Sequence, residues 1–218
     1  MEDTLYLTRQ DNDRKWTICT KTAVAVSNMI LSWTQTAQGS FTIDASDLTE
    51  ASIDAFVIMI NSLSAHRCDT IPLSTSNDMP INANNVHLLV KPLHKYDCPG
   101  LWRQLCQFTK AYPTIAAVRA LDAVEDVRKG IWANDNVLRF AYNHLPRRKT
   151  VKANEDTQDN HDTQEDQFSP ALCVLILDFI TQRATFKQKS DVQNAACYVL
   201  GDGVPNPKRA NHIHLMVA

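Results

Sequence analysis

Few residues of this chain have the type and spacing that metal chemistry requires. His212 and His214 stand two apart, so on a strand both imidazoles would point to the same face. A zinc site takes at least three protein ligands, and no nearby set of Cys, Asp or Glu completes this pair. We therefore expect no metal site in this protein.

The nucleophile chemistry that the sequence offers is also incomplete. His94 and Cys98 are four residues apart, a spacing that brings two side chains together on a helix. A cysteine nucleophile also needs a group that orients its base and an oxyanion site, and the sequence shows neither. The six cysteines form no C-x-x-C pair, and the five glycines form no phosphate-binding loop. We expect no catalytic residue and no cofactor.

Composition and charge narrow the classes of partner. The chain has 218 residues, of which 44% are hydrophobic, and a net charge of −2. It has no basic excess that would bind nucleic acid. No run approaches about 18 consecutive apolar residues, so we expect no membrane span. The amino terminus also lacks the pattern of a signal peptide. We expect an intracellular protein, cytoplasmic or nuclear, that binds neither nucleic acid nor membrane.

Hydrophobic periodicity predicts a small sheet and a run of helices. The predicted strands are residues 4–8, 15–19 and 40–44, of which the first two form a hairpin. The predicted helices cover residues 22–33, 47–63, 85–96, 100–112, 113–124, 126–132, 136–144, 169–180 and 191–200. This order is typical of an α+β domain whose helices pack on a small sheet.

Caps and prolines set the ends of several predicted helices. Asp47 and Glu50 have the spacing of a capping box at the start of the second helix. That helix places one apolar face toward the core, made of Ile53, Phe56, Val57, Ile60 and Leu63. Pro113 suits the first turn of a helix. Pro92 would cost about 3 kcal/mol inside the helix over 85–96 unless that helix kinks or restarts there.

The chain divides into four parts by composition. Residues 1–112 form the α+β domain, and residues 113–146 form a helical extension. Residues 147–167 are polar, and their acidic part has no aromatic or branched aliphatic residue to bury, which predicts a disordered linker. Residues 168–218 return to an apolar pattern and form a C-terminal helical segment packed on the rest.

Two short stretches carry a resemblance to a known family. The first has an aromatic residue at Trp16 and a serine at Ser27, with small apolar residues between them. The second has Asn85-Val86, Leu89 and Lys95-Tyr96-Asp97 in its helical pattern. The order and spacing of these motifs, over about residues 3–110, resemble the BTB/POZ family of protein-interaction domains. Skp-type adaptors, a branch of the same superfamily, share much of the pattern.

The chain departs from the family pattern at several positions. Cys19 and Thr20 stand where the family usually has a His-Lys pair, and Pro92 replaces a leucine. The usual tyrosine-threonine-glycine turn is missing after the helix that contains Phe56 and Ile60. The helical extension over 113–146 resembles the family's BACK extension in its position alone.

The resemblance implies a non-enzymatic protein–protein interaction and oligomerisation module. In the family, the N-terminal strand and the first helices form a homodimer face. The matching residues here are Leu5, Leu7, Ala23, Val26, Met29, Ile30 and Trp33. The first partner to test is a cullin-type ubiquitin ligase. A self-associating scaffold or transcriptional cofactor without a ligase link is one alternative, and a thiol or metal-dependent enzyme is the other.

Overall fold

The computed structural model places the chain in the α+β class, with a small sheet and a majority of helices. It describes residues 5–36, 41–66, 70–71, 73–124, 131–132, 134–145 and 168–183. The chain forms two compact units, Met1–Val124 and Glu125–Ala218. The first unit contains the sheet and the second is described by helices alone.

Three strands form the sheet in the order β2-β1-β3. The strands are β1 (Leu5–Arg9), β2 (Asn12–Ile18) and β3 (Phe41–Asp44). β1 pairs antiparallel with β2, which confirms the predicted hairpin, and parallel with β3. Because β1 is the central strand, both of its edges are hydrogen-bonded to a neighbouring strand. The buried apolar side chains of the sheet are Leu5, Leu7, Trp16, Ile18 and Ile43.

Two helices of the first unit lie between β2 and β3 in the chain, and the others follow β3. The helices of this unit are α1 (Thr20–Val26), α2 (Asn28–Thr36), α3 (Glu50–His66), a 3₁₀ helix (Val86–Leu89), α4 (Val90–Lys95), α5 (Pro99–Ala111) and α6 (Ile115–Asp122). α3 packs against β2, α1, α4 and the 3₁₀ helix, so it is the central helix of the core. The helix predicted over residues 22–33 is two helices that meet at Ser27.

The outer edge of β2 is partly covered by a side chain of α3. Asn61 accepts a hydrogen bond from the Cys19 N–H at 3.0 Å and donates one to the Thr17 carbonyl at 3.3 Å. The amide of Asn61 therefore replaces a neighbouring strand at this point of the ladder. An edge that is paired in this way is less open to association with other chains.

The predicted capping box of α3 is wrong, although the predicted core face is right. Thr49 caps α3, because its Oγ1 accepts a hydrogen bond from the Ser52 N–H at 3.2 Å. Asp47 instead forms an ion pair with Lys95, and Glu50 accepts a hydrogen bond from Asn12. On the core face, Ile53, Phe56, Ile60 and Leu63 are buried and Val57 is half-buried.

Pro92 is accommodated by a restart of the helix. Residues Val86–Leu89 form the 3₁₀ helix, and α4 begins only at Val90, so Pro92 lies in the first turn of α4. Backbone N–H groups of a first turn have no partner within their own helix, and proline therefore removes no bond there. The ring is buried on this side of the core.

The first unit extends past residue 112, the predicted end of the α+β domain. α6 packs against the 3₁₀ helix and α4, and the unit ends at Val124. Pro113 lies outside α6 and not in its first turn. Thr114 is the cap, and its side chain accepts a hydrogen bond from the Ala117 N–H at 3.2 Å.

The described part of the second unit contains α7 (Asp135–Asn143) and α8 (Pro170–Arg183), which pack on each other. The predicted cap of α8 is confirmed, because Ser169 Oγ accepts a hydrogen bond from the Leu172 N–H at 3.2 Å. The buried apolar residues of these helices include Val137, Leu138, Ala141, Tyr142, Leu172, Ile176, Phe179 and Ile180. The predicted linker over 147–167 and the predicted helix over 191–200 lie outside the described residues.

Candidate functional site

The two stretches that carry the family resemblance meet at the break between α1 and α2. Ser27 is 1% exposed, and its Oγ donates a hydrogen bond to the main-chain carbonyl of Tyr96. The same Oγ accepts a hydrogen bond from the Ile30 N–H at 3.0 Å, so Ser27 is also the N-cap of α2. One buried hydroxyl thus caps α2 and fixes its start to the end of α4.

α4 ends in a Schellman motif with an aspartate at its left-handed position. The Cys98 N–H donates to the Leu93 carbonyl at 3.0 Å, and the Asp97 N–H donates to the His94 carbonyl at 3.2 Å. Asp97 has a φ angle of 46°, and it is the one non-glycine residue with a positive φ in the described part of the chain. Glycine is the usual residue at this position, because it has no Cβ.

Two hydrogen bonds join Asp97 to Asn28, and the one made by its side chain accounts for an aspartate at that position. Its main-chain carbonyl accepts a hydrogen bond from the Asn28 N–H at 3.0 Å. Its Oδ2 accepts a second bond from Asn28 Nδ2 at 2.9 Å. Asn28 is the first residue of α2, where backbone N–H groups need partners and a negative charge is favourable. We call Ser27, Asn28, Tyr96 and Asp97 the α2 joint.

The buried ring of Tyr96 packs against Trp33 of α2. It is fully buried, with the ring of Phe56 at 5.1 Å and the ring of Trp33 at 6.4 Å in a T-shaped contact. Burial, and then the nearby carboxylates of Asp47 and Asp44, raises the pKa of Tyr96. Trp33 is therefore held against the core by this T-shaped contact, and it is half-buried.

The seven residues predicted for the dimer face separate into two groups. Leu5, Leu7, Ala23 and Ile30 are fully buried within the single chain, so they are core residues and need no partner to cover them. The sequence argument underestimated how much of β1 and α1 the neighbouring strands and α3 cover. Val26, Met29 and Trp33 are half-buried and remain accessible.

The accessible apolar residues of α2 lie on two flanks. Met29 and Trp33 are one helical turn apart and share a flank, and Val26 ends α1 just before the joint. Leu31, which the sequence analysis did not select, lies on the other flank and is 38% exposed. We call Met29 and Trp33 the Met29 flank. The strip between the two flanks is polar and exposed, and comprises Asn28, Ser32 and Gln35.

Cys98 is protected by its position. Its side chain is buried, and this burial raises the pKa of the thiol to about 12. The His94 ring packs against Trp102, with the ring centroids 6.0 Å apart. The helix α4 ends at Lys95, before Cys98, so the two residues are not one turn apart on a single helix as their spacing suggested.

Cys19 is the thiol with the opposite shift. Ser64 Oγ donates to its Sγ at 3.1 Å and Thr22 Oγ1 at 3.4 Å. These hydrogen bonds, the one from Ser64 first, lower the pKa of Cys19. Thr22 stands three residues after Cys19 at the start of α1, a spacing visible in the sequence, whereas the contact with Ser64 of α3 depends on the fold.

Thiol reactivity should follow these shifts. At about pH 8, iodoacetamide should label Cys19 before Cys98 and Cys106, because a lowered pKa gives more thiolate at a given pH. Burial raises the pKa of Cys106 to about 11, so it should also be slow. Peptide mass spectrometry over time gives the order, with a Cys19→Ser chain as the control that loses the fast site. Earlier labelling of Cys98 would contradict the described packing.

Other kinds of site find no support in the part of the chain that the structure describes. Within those residues no three His, Cys, Asp or Glu side chains come together as a metal-binding group, and the His212–His214 pair lies outside them. None of the described helices combines the length and apolar character needed to cross a membrane. Comparison with family models, curated proteins and solved structures finds no match to this chain.

Proposed function

We propose that this chain is a non-enzymatic protein–protein interaction module that self-associates through the Met29 flank of α2. The observation that carries the proposal is the pair of half-exposed apolar side chains, Met29 and Trp33, on a short helix fixed by the α2 joint. The resemblance to BTB/POZ domains, whose first helices form a dimer face, supports the same helix.

The type and support of these side chains suit an interface. Tryptophan and methionine are enriched in the cores of interfaces relative to the rest of a protein surface. The Trp33 ring is already held by the edge contact with Tyr96, with their centroids 6.4 Å apart. A side chain that is ordered before binding loses less conformational entropy when a partner covers it. Trp33 is therefore the anchor of the proposed contact.

Recruitment of a second kind of protein is the further part of this proposal. By the BTB/POZ resemblance, a cullin-type ubiquitin ligase is the first candidate, and a scaffold or transcriptional cofactor without a ligase link is the alternative. A pull-down from cell extract, probed for cullins, separates the two alternatives.

We also propose that the protein acts in the cytoplasm or nucleus. Free thiols are typical of proteins in these reducing compartments, and the free thiols of this chain include Cys19, Cys98, Cys106 and Cys173.

A charge on the Met29 flank should abolish self-association. We expect static light scattering at micromolar concentration to show the mass of a dimer for the intact chain. A typical interface of this kind buries about 800 Å² per partner. Met29→Asp should be monomeric, because a carboxylate would be desolvated without a partner. The matched control is Leu31→Asp, on the opposite flank of the same helix, which should remain dimeric.

Two other outcomes of this experiment would contradict the proposal. An intact chain that stays monomeric at every concentration overturns self-association and favours a Skp-like adaptor that works as a single copy. A dimer that survives Met29→Asp but is lost in Leu31→Asp moves the interface to the other flank. Circular dichroism of each variant establishes that the helices are retained.

A further inference from the structure

We infer that Asp97 and Asn28 are a positioning pair: they fix the first turn of α2 so that Met29 is presented to the partner. This inference rests on the proposed self-association and adds to it the residues that control the binding surface. The pair itself lies outside the Met29 flank, since Asp97 belongs to the turn after α4 and Asn28 to the polar strip of α2.

The identity of residue 97 is the first argument. The left-handed residue at the end of a helix is most often glycine, and aspartate and asparagine adopt this conformation less often. The backbone bonds of the Schellman motif would form equally well with glycine. What aspartate adds is the carboxylate that accepts the bond from Asn28 Nδ2 at 2.9 Å. The side chain therefore acts on α2 and not on the end of α4.

The second argument is that the joint has a buried part and an exposed part. The bond between Ser27 and Tyr96 joins two residues that are almost fully buried, and it belongs to the core. Asn28 and Asp97 are both exposed, and their side-chain bond lies at the surface. Removing the exposed bond leaves the buried one in place, so the pair can be broken without unfolding the protein.

The third argument concerns what the pair holds. The Asn28 N–H is bound by the Asp97 main-chain carbonyl at 3.0 Å, and the side-chain bond at 2.9 Å is a second tie at the same residue. Met29 follows Asn28 directly, so a first turn held by one tie at Asn28 lets Met29 move more, whereas Trp33 stays in contact with Tyr96. Loss of the pair should therefore weaken one of the two side chains of the Met29 flank and leave the anchor in place.

Three variants at residue 97 and its partner separate positioning from folding. Asp97→Gly keeps the left-handed backbone and loses the side-chain bond. Asp97→Asn keeps a left-handed preference and an oxygen that accepts from Asn28. Asn28→Ala removes the same side-chain bond from the α2 side. Gln35→Ala, at an exposed position of the same helix, is the matched control.

We expect Asp97→Gly and Asn28→Ala to weaken self-association about tenfold, the size of effect that loss of one hydrogen bond supports. Their melting temperatures should stay within about 2 °C of the intact chain, as for most surface substitutions. Asp97→Asn and Gln35→Ala should associate like the intact chain. Sedimentation velocity over a dilution series gives the dissociation constants.

The opposite results are distinguishable from failure of the proposed function. If the intact chain dimerises and Asp97→Gly dimerises equally well, the positioning role is wrong while self-association stands. If the self-association affinity and the melting temperature fall together in Asp97→Gly and Asn28→Ala, and Asp97→Asn falls in the same way, the pair has a structural role alone. The inference is then wrong. If the intact chain is monomeric, the proposed function fails and this inference fails with it.

Discussion

Replacing Phe56 with alanine should lower the free energy of unfolding by about 3–5 kcal/mol, the range for large-to-small changes of a buried aromatic residue. Phe56 is 0% exposed, and its ring lies 5.1 Å from the ring of Tyr96 at an interplanar angle of 34°. The substitution removes apolar contacts on α3 and leaves a cavity beside the α2 joint. Urea denaturation of the intact chain and the variant, followed by circular dichroism, measures the difference.

The same helix provides a matched control. Ile58 is 43% exposed on α3, so Ile58→Ala removes an aliphatic side chain without opening a cavity in the core. We expect this variant to lose less than about 1 kcal/mol. Equal effects of the two substitutions would mean that the core face of α3 has been assigned to the wrong residues. A change in the denaturant slope would indicate an altered unfolded or native state, or a loss of two-state unfolding.

The parts of the fold that follow from local periodicity were predictable. The alternation of residues 4–8 and 15–19 predicted the β1–β2 hairpin, although β2 begins earlier, at Asn12, and the helical spacing from Ile53 to Leu63 predicted the buried face of α3. Both patterns are local, because a strand repeats every two residues and a helix every 3.6. Ser169 as the cap of α8 was predictable for the same reason, since a cap and its N–H partners are within one turn.

Features set by distant contacts were not predictable from the same patterns. The cap bond between Ser27 Oγ and the Ile30 N–H is local, but nothing local indicates that the same Oγ also donates to the carbonyl of Tyr96, a residue 69 positions away. The parallel pairing of β1 with β3 is also a contact between separated segments. The sequence analysis placed the cap of α3 at Asp47. The ion pair of Asp47 with Lys95 leaves Thr49 as the residue that caps the helix.

The candidate interface shows the limit of an amphipathic pattern. Periodicity identifies apolar residues that water does not favour, but it does not distinguish a core from a surface that another chain covers. Leu5 and Leu7 lie on the central strand and are covered by their own chain. Met29 and Trp33 lie on α2 and are only half-buried by the described residues. The self-association of this flank remains a prediction for light scattering to test.

Replacing Ser27 with alanine should cost about 2–4 kcal/mol, because two buried backbone groups lose a partner at once. The Tyr96 carbonyl loses the Ser27 Oγ donor, and the Ile30 N–H loses its acceptor at 3.0 Å. Alanine fits the space of serine, so the loss comes from hydrogen bonds and not from packing. Urea denaturation measures it, and native-state hydrogen exchange should show the amide of Ile30 among the most affected.

Ser32→Ala is the control for this experiment. Ser32 lies on the same helix, is exposed, and donates its hydroxyl proton to the Met29 carbonyl at 2.8 Å, so water can replace that bond. We expect a change of less than about 0.5 kcal/mol for this variant. Similar losses for the two serines would show that the buried joint contributes no more than a surface hydroxyl. A selective loss at Ser27 would establish that the break between α1 and α2 is a stabilising part of the core.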